Sequence, residues 1–158
     1  MHGIAYYSSP VGVLQIESKD NKITKLGFLR KTREQERHTP VINQCISQLN
    51  EYFSGQRKLF SFELEFHGSD FQIRAWQELL KIPYGETISY EAQAIRVGDI
   101  KMTRAVGIAN AQNPIAIVVP CHRVIGKNGD LVGYGGGLER KVWLLEHEGA
   151  MQKQLSIF

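Results

Sequence analysis

The stretch VVPCHRVIGKNGDLVGYGGG, Val118–Gly137, sets an apolar run against a proline and follows it at once with cysteine, histidine and arginine. An apolar run that stops at Pro120 reads as interior chain delivered to a fixed point, because proline locks φ and removes a backbone donor. Cys121 thus stands between a buried segment and a loop whose many glycines let the backbone pass close to a ligand. Cysteine is a nucleophile only as thiolate, and His122, Arg123 and Lys127 are placed to supply donors or positive potential. Adjacent side chains of an extended chain point to opposite faces, so a direct Cys121–His122 hydrogen bond is not expected. Either the chain bends sharply at Pro120 or a water joins imidazole and sulfur. A carboxylate that orients the other ring nitrogen would complete the arrangement, and Glu146 and Glu148 are both candidates.

Upstream, GIAYY, VGVLQIES and ITKLGFL are apolar or alternating runs split by the turn chemistries SSP and KDNK, which predicts a hairpin or meander. RKTREQERH, Arg30–His38, reads as a solvated connection. A helix follows, with Thr39 as cap, Pro40 at its first position and Gly55 after its end. Val41, Ile42, Cys45, Ile46, Leu49, Tyr52 and Phe53 form its apolar face, where Cys45 is a small buried hydrophobe. LFSFELEF predicts a strand, and HGSD marks a boundary. Ser69 is placed to cap a second helix burying Phe71, Trp76, Leu79 and Leu80. SYEAQAIR and IKMTRAVGIANA then give two short helices joined at VGD, the pattern of a helix-turn-helix. IAIVV reads as a short buried strand or extended run. LERKVWLLEHEG closes the series as a helix with Leu138, Val142, Leu145 and Trp143 inward and Gly149 at its end. The last few residues read as dispensable.

The 158 residues are 42% hydrophobic and 22% charged, with a net charge of +3, which describes an ordinary globular chain that permits an anionic partner without requiring one. Two cysteines exclude a disulfide framework apart from one bridge, and their lack of CxxC spacing, with five scattered histidines, argues against zinc. No signal peptide or membrane-length apolar run is visible, so a soluble protein of a reducing, cytoplasmic compartment is expected.

PCHRV, Pro120–Val124, resembles the active-site motif of the O6-alkylguanine-DNA alkyltransferases, the methylated-DNA–protein-cysteine methyltransferases. FQIRAWQELLKIPYGETISY, RAVGIANAQNP, IVVPCHRVIGKNGDLVGYGGG and LERKVWLLEHEG resemble further family blocks in family order, covering most of residues 71–149. The resemblance implies an α+β protein: a small N-terminal sheet-and-helix lobe, 1–68, then a mainly helical domain, 69–158, carrying the helix-turn-helix and the PCHRV site. It implies that Cys121 takes the alkyl group from O6 of a flipped-out guanine, once and irreversibly, with no cofactor and no metal. His122 would reach the cysteine through a water and be oriented by Glu148; Asn113 would brace the nearby turn; Tyr90 would hydrogen-bond the guanine. Arg104 would fill the vacated stack, and Ala105, Gly107 and Ala109 would keep the helix shallow in the minor groove of double-stranded DNA. Arg123, Val124, Tyr134, Gly135 and Lys141 are implied at or near the base and the loop over it. Ile108 and Gly135 depart from common family choices, which leaves pocket detail and preferred alkyl size open; O4-alkylthymine is left open as a second substrate. The protein is expected to act as a monomer without a membrane. Three rival readings differ in kind: a lesion-binding relative without the cysteine, a sequence-specific regulator, and a cysteine hydrolase that turns over.

Overall fold

The computed structural model describes residues 1–131 and 133–152, so the expectation of a dispensable tail falls largely outside the described residues. The chain begins with a meander of β1 (His2–Ser9), β2 (Gly12–Lys19) and β3 (Lys22–Phe28), antiparallel in the order β1-β2-β3. Lys19 pairs with Lys22 across Asp20 and Asn21, both at positive φ (51° and 59°), which is the two-residue turn whose twist matches the strands. The charged connection beyond β3 is exposed, tied back where Arg37 bridges Ile4.

Helix α1 (Pro40–Phe53) starts as its sequence requires, with the Thr39 side chain accepting from the Ile42 amide and Pro40 in the first turn. Val41, Ile42, Cys45, Leu49 and Tyr52 are buried against the sheet. Ser69 caps α2 (Asp70–Leu79) with a reciprocal box to Gln72. Ser89 caps α3 (Tyr90–Val97), a single 3-10 turn at Ile100–Met102 follows, and α4 (Thr103–Ala111) completes the helix pair. Ala75, Ala94, Val97, Val106 and Ala109 fill the space among these three helices. The last helix is α5 (Leu138–His147). Among the described residues, no helix is long and apolar enough to cross a membrane.

Four expectations change. LFSFELEF is not a strand: it makes one parallel bridge, Leu64 to Ile23, beside the edge of β3. IAIVV is buried but coiled, because the Val119 amide bonds back to the Ile115 carbonyl and Ile117 sits at φ +73°. A β-branched residue there is strained, and the Asn113 side chain holds the loop by bonding the Ile115 amide and the Val119 carbonyl. Leu80 is 45% exposed, since α2 ends before it can turn inward. In α5 the interior positions are Lys141, Leu144 and Leu145, a stripe rotated from the predicted one, while Leu138 is 47% exposed.

One core runs through both halves, joining Leu14, Ile16, Ile23 and Leu26 of the sheet to Ile115, Ile117, Val119 and Val124 near the motif. Gly3 lets β1 lie on α1: a Cβ there would stand 2.6 Å from Ile42 Cδ1 and 2.5 Å from Ser18 Oγ. Gly3→Ala should therefore destabilise by about 1–3 kcal/mol, as overpacking does. Urea unfolding measures this, and an unchanged midpoint would mean that the β1–α1 contact yields freely.

Candidate active site

The motif folds as a bend, not an extended run. Pro120 leads into a 3-10 turn over Cys121–Arg123, and the chain leaves it as β5 (Val124–Ile125). β5 pairs in parallel with β4 (Ile88–Ser89), matching Ile88 with Val124 and Ser89 with Ile125. Because Ser89 is also the cap of α3, this short pairing fixes Tyr90 relative to Cys121. The Tyr90 hydroxyl donates to the Gly133 carbonyl at 3.4 Å.

Three side chains converge on one carboxylate. His122 Nε2 lies 2.8 Å from Glu148 Oε2, and the Tyr52 hydroxyl donates to the same oxygen at 2.7 Å. Arg123 donates from Nε to Oε1 at 2.7 Å and from Nη2 to Oε2 at 3.0 Å. Burial by itself would raise the Glu148 pKa, but the hydrogen bonds and charges of His122 and Arg123 bring it down to about 2. A carboxylate ionised at neutral pH only accepts, so Nε2 carries the imidazole proton. Burial lowers the His122 pKa despite the pull of Glu148, which keeps the ring neutral. Its Nδ1 is buried, without a hydrogen-bond partner among the described residues, and is the lone pair available as a base. Of the two candidate carboxylates, the structure brings Glu148 to the histidine.

Cys121 is 8% exposed. Burial raises its thiol, while a hydrogen bond from Asn113 and the charge of Lys141 oppose that rise. Lys141 is fully buried, donates from Nζ to the Val124 carbonyl at 2.7 Å, and is lowered by burial to about 8. Cys45 is pushed up to about 12 by burial and stays an inert core residue. A cavity of about 380 Å³ opens onto Cys121 between Tyr90, Gly107 and the Gly133–Gly135 loop. A second, of about 450 Å³, reaches Cys121 from the sheet side past Phe28, Pro114 and Ala116, and Tyr134 lines both. Among the described residues, no group of three or more acidic, histidine or cysteine side chains is arranged to hold a metal.

Other sequence-predicted residues are placed less uniformly. Arg104, Ala105 and Ile108 lie exposed on α4, and Gly107 packs on the Tyr90 ring. Ala109, expected on the same open face, is 2% exposed and packs toward α2, its carbonyl accepting from Trp76 Nε1 at 2.8 Å. Arg123 and Val124, expected near DNA, are interior: Arg123 also donates from Nη1 to the Ile82 carbonyl at 2.7 Å, and Val124 is fully buried. Sequence reasoning assigned Tyr52 to the apolar stripe and missed its hydroxyl. A tyrosine in a buried stripe needs a partner for that group, which was the available signal. The buried pair of Gln93 and Asn110, joined by two reciprocal amide bonds at 2.9 and 2.7 Å, was also missed.

Fold and site together define a protein with a helix-turn-helix and a buried cysteine that is followed in the chain by a neutral histidine tied to a buried carboxylate. Residues 70–150 match the family model of the 6-O-methylguanine DNA methyltransferase DNA binding domain, and residues 4–66 match that of the ribonuclease-like domain of the same enzymes. The chain belongs to the 6-O-methylguanine DNA methyltransferase family. It is 48% identical over 145 residues to the methylated-DNA–protein-cysteine methyltransferase of Mycobacterium leprae, covering 89% of this chain and 88% of that protein. Against the constitutive enzyme of Bacillus subtilis it is 44% identical over 163 residues, covering 94% and 98%. Mycobacterium tuberculosis OGT, solved in complex with DNA, superposes with a TM-score of 0.84 at 46% identity, over 92% of this chain and 91% of that one.

The carboxylate hub sets the acid response. His122 has a folded pKa below its usual 6.5, so the unfolded chain takes up that proton first and stability falls as pH drops through 6.5. Glu148, at about 2 against 4.5, adds a further loss as pH falls below 4.5 toward 2. Urea midpoints measured from pH 7 to pH 3.5 should decline in both ranges, and Glu148→Gln should flatten the lower one. Tyr52→Phe should cost about 1.5–3 kcal/mol at pH 7, the usual worth of a hydrogen bond to a charged group.

Proposed function

We propose that the protein repairs DNA directly, moving an alkyl group from O6 of a guanine onto its own Cys121 in a single irreversible event. The observation that carries this reading is the tie between His122 Nε2 and Glu148, which leaves Nδ1 as the base within the motif that holds the cysteine. A bridging water passes the thiol proton to Nδ1, answering the adjacency of the two residues in the chain. Sγ attacks the alkyl carbon, the carbon–O6 bond breaks, and its electron pair leaves with guanine. Burial raises the Tyr90 pKa, with the nearby Cys121 charge adding to the rise, so its phenol is protonated and able to neutralise the departing base. The proton held by His122 then replaces the one Tyr90 gave. Lys141 favours the thiolate electrostatically, and Asn113 steadies it by hydrogen bonding. The thioether product has no good leaving group, so each molecule acts once.

A guanine within a duplex is out of reach of a buried thiol, and extruding it costs a few kcal/mol. Arg104, exposed on α4, fills the space the base leaves, as inserted side chains do elsewhere. Ala105, with its small side chain, lets α4 lie in the minor groove, while Tyr134 and Gly135 close over the base. The chain divides near residue 68 into a supporting lobe and the domain that meets DNA, and works as a monomer in the cytoplasm without cofactor.

Intact-mass analysis after mixing with O6-methylguanine duplex should show a gain of one methyl group on Cys121, absent from Cys121→Ser. A methyl group on Cys45, or steady turnover of an ester, would sink the reading. Arg104→Ala should slow repair in duplex by roughly tenfold or more, the effect of losing about 1.4 kcal/mol from the extruded state. Reaction with free O6-benzylguanine, which needs no extrusion, should keep its rate.

A further inference from the structure

Arg140 opens α5 but reaches back into the N-terminal lobe. Its Nε donates to the Val11 carbonyl at 2.7 Å and its Nη1 to the Gly136 carbonyl at 3.3 Å. The guanidinium lies over Phe28 at 4.1 Å from the ring centroid. Gly12, at φ +115°, makes room for it, since a Cβ there would stand 2.9 Å from Arg140 Nη2. Arg30 holds the same loop a residue earlier, donating to the Gly135 carbonyl at 3.0 Å.

This grip continues to Tyr134. Phe28 meets the Tyr134 ring edge-on at 6.3 Å between centroids, and a Cβ on Gly136 would collide with both rings. The Tyr134 hydroxyl is buried without a hydrogen-bond partner among the described residues, so no polar contact pins the tip of the ring. Its position is therefore set by packing on Phe28 and by the backbone that Arg140 and Arg30 hold. Tyr134 is also the wall shared by the two cavities that meet at Cys121. Wherever this ring stands, it divides the space beside the sulfur.

We propose that Arg140 is a positioning residue for alkyl transfer: it fastens the Tyr134 loop to the N-terminal lobe and so sets the alkyl size accepted beside Cys121. The inference rests on the transfer activity proposed above and gives the N-terminal lobe a part in substrate choice. With the grip intact, Tyr134 keeps the two cavities apart and favours small groups. Released, the ring yields and the cavities merge toward Phe28 and Ala116, making room for bulky groups.

Single-turnover transfer from duplexes carrying O6-methylguanine or O6-benzylguanine tests this in wild type, Arg140→Gln, Arg140→Lys and Phe28→Leu. Arg140→Gln should raise the benzyl-to-methyl rate ratio by roughly tenfold, the scale on which pocket dimensions discriminate substrates. Amides of Gly135 and Gly136 should exchange hydrogen faster in the same variant. Arg140→Lys, which keeps a cation over Phe28, should recover part of the wild-type ratio. Phe28→Leu, which removes the ring that backs Tyr134, should shift the ratio in the same direction even if Arg140→Gln fails to fold. An unchanged ratio in the folded variants, with both rates lowered equally, would reduce Arg140 to a structural residue and overturn the inference. A wild-type protein that transfers neither group would overturn the underlying activity as well.

Discussion

A single carboxylate with no exposed side-chain surface ties the molecule together. Glu148 draws Tyr52 from α1 and His122 and Arg123 from the active turn, and Arg123 extends the network to the Ile82 carbonyl after α2. Burying this charge is costly, and the cost is met only because every donor around it is well aligned. Removing any partner would leave part of an ionised group unsatisfied in the interior. The same bonds fix the histidine tautomer, so the contact that joins α1 to the active turn also decides which ring nitrogen keeps a free lone pair.

Reactivity at Cys121 is balanced between opposing influences. Burial favours the neutral thiol, whereas Asn113 and Lys141 favour the anion. The thiol is thus held largely protonated at rest, with a neutral histidine next to it in sequence. Such a group is a poor target for stray electrophiles in solvent and a ready one for a substrate delivered into the pocket. The strained backbone at Ile117, two residues before Val119, is maintained by the side-chain bonds of Asn113. That asparagine therefore acts both on the path of the chain and on the charge of the sulfur.

Much of this could be read from residue order. Strands β1 to β3 alternate clearly, Thr39-Pro40 and Ser69 announce their helices, and the blocks from Phe71 to Gly149 point to one family. The failures have physical causes. LFSFELEF carries a strand's composition but lies along β3, which gives it one bridge and no ladder. IAIVV is apolar enough for a strand, yet Asn113 and Pro114 turn it back on itself. In α5 a lysine takes an interior position, because backbone carbonyls satisfy its ammonium group, and no hydrophobic pattern anticipates that. Arg123, implied by the resemblance to lie at or near the base, is instead buried on a carboxylate 25 residues away in the chain. Long-range polar pairs leave no periodic trace.

The spread of the Glu148 hub along the chain also has a bearing on how the protein is made. Its contacts bridge 96 residues to Tyr52 and 26 to His122. The meander, by contrast, closes through neighbouring strands and can form early. Glu148 is the last in chain order of the hub residues Tyr52, His122, Arg123 and Glu148, so the hub closes only once the end of α5 has docked on both α1 and the active turn. The carboxylate network is thus a long-range closure, made only when segments from both halves of the chain have been brought together.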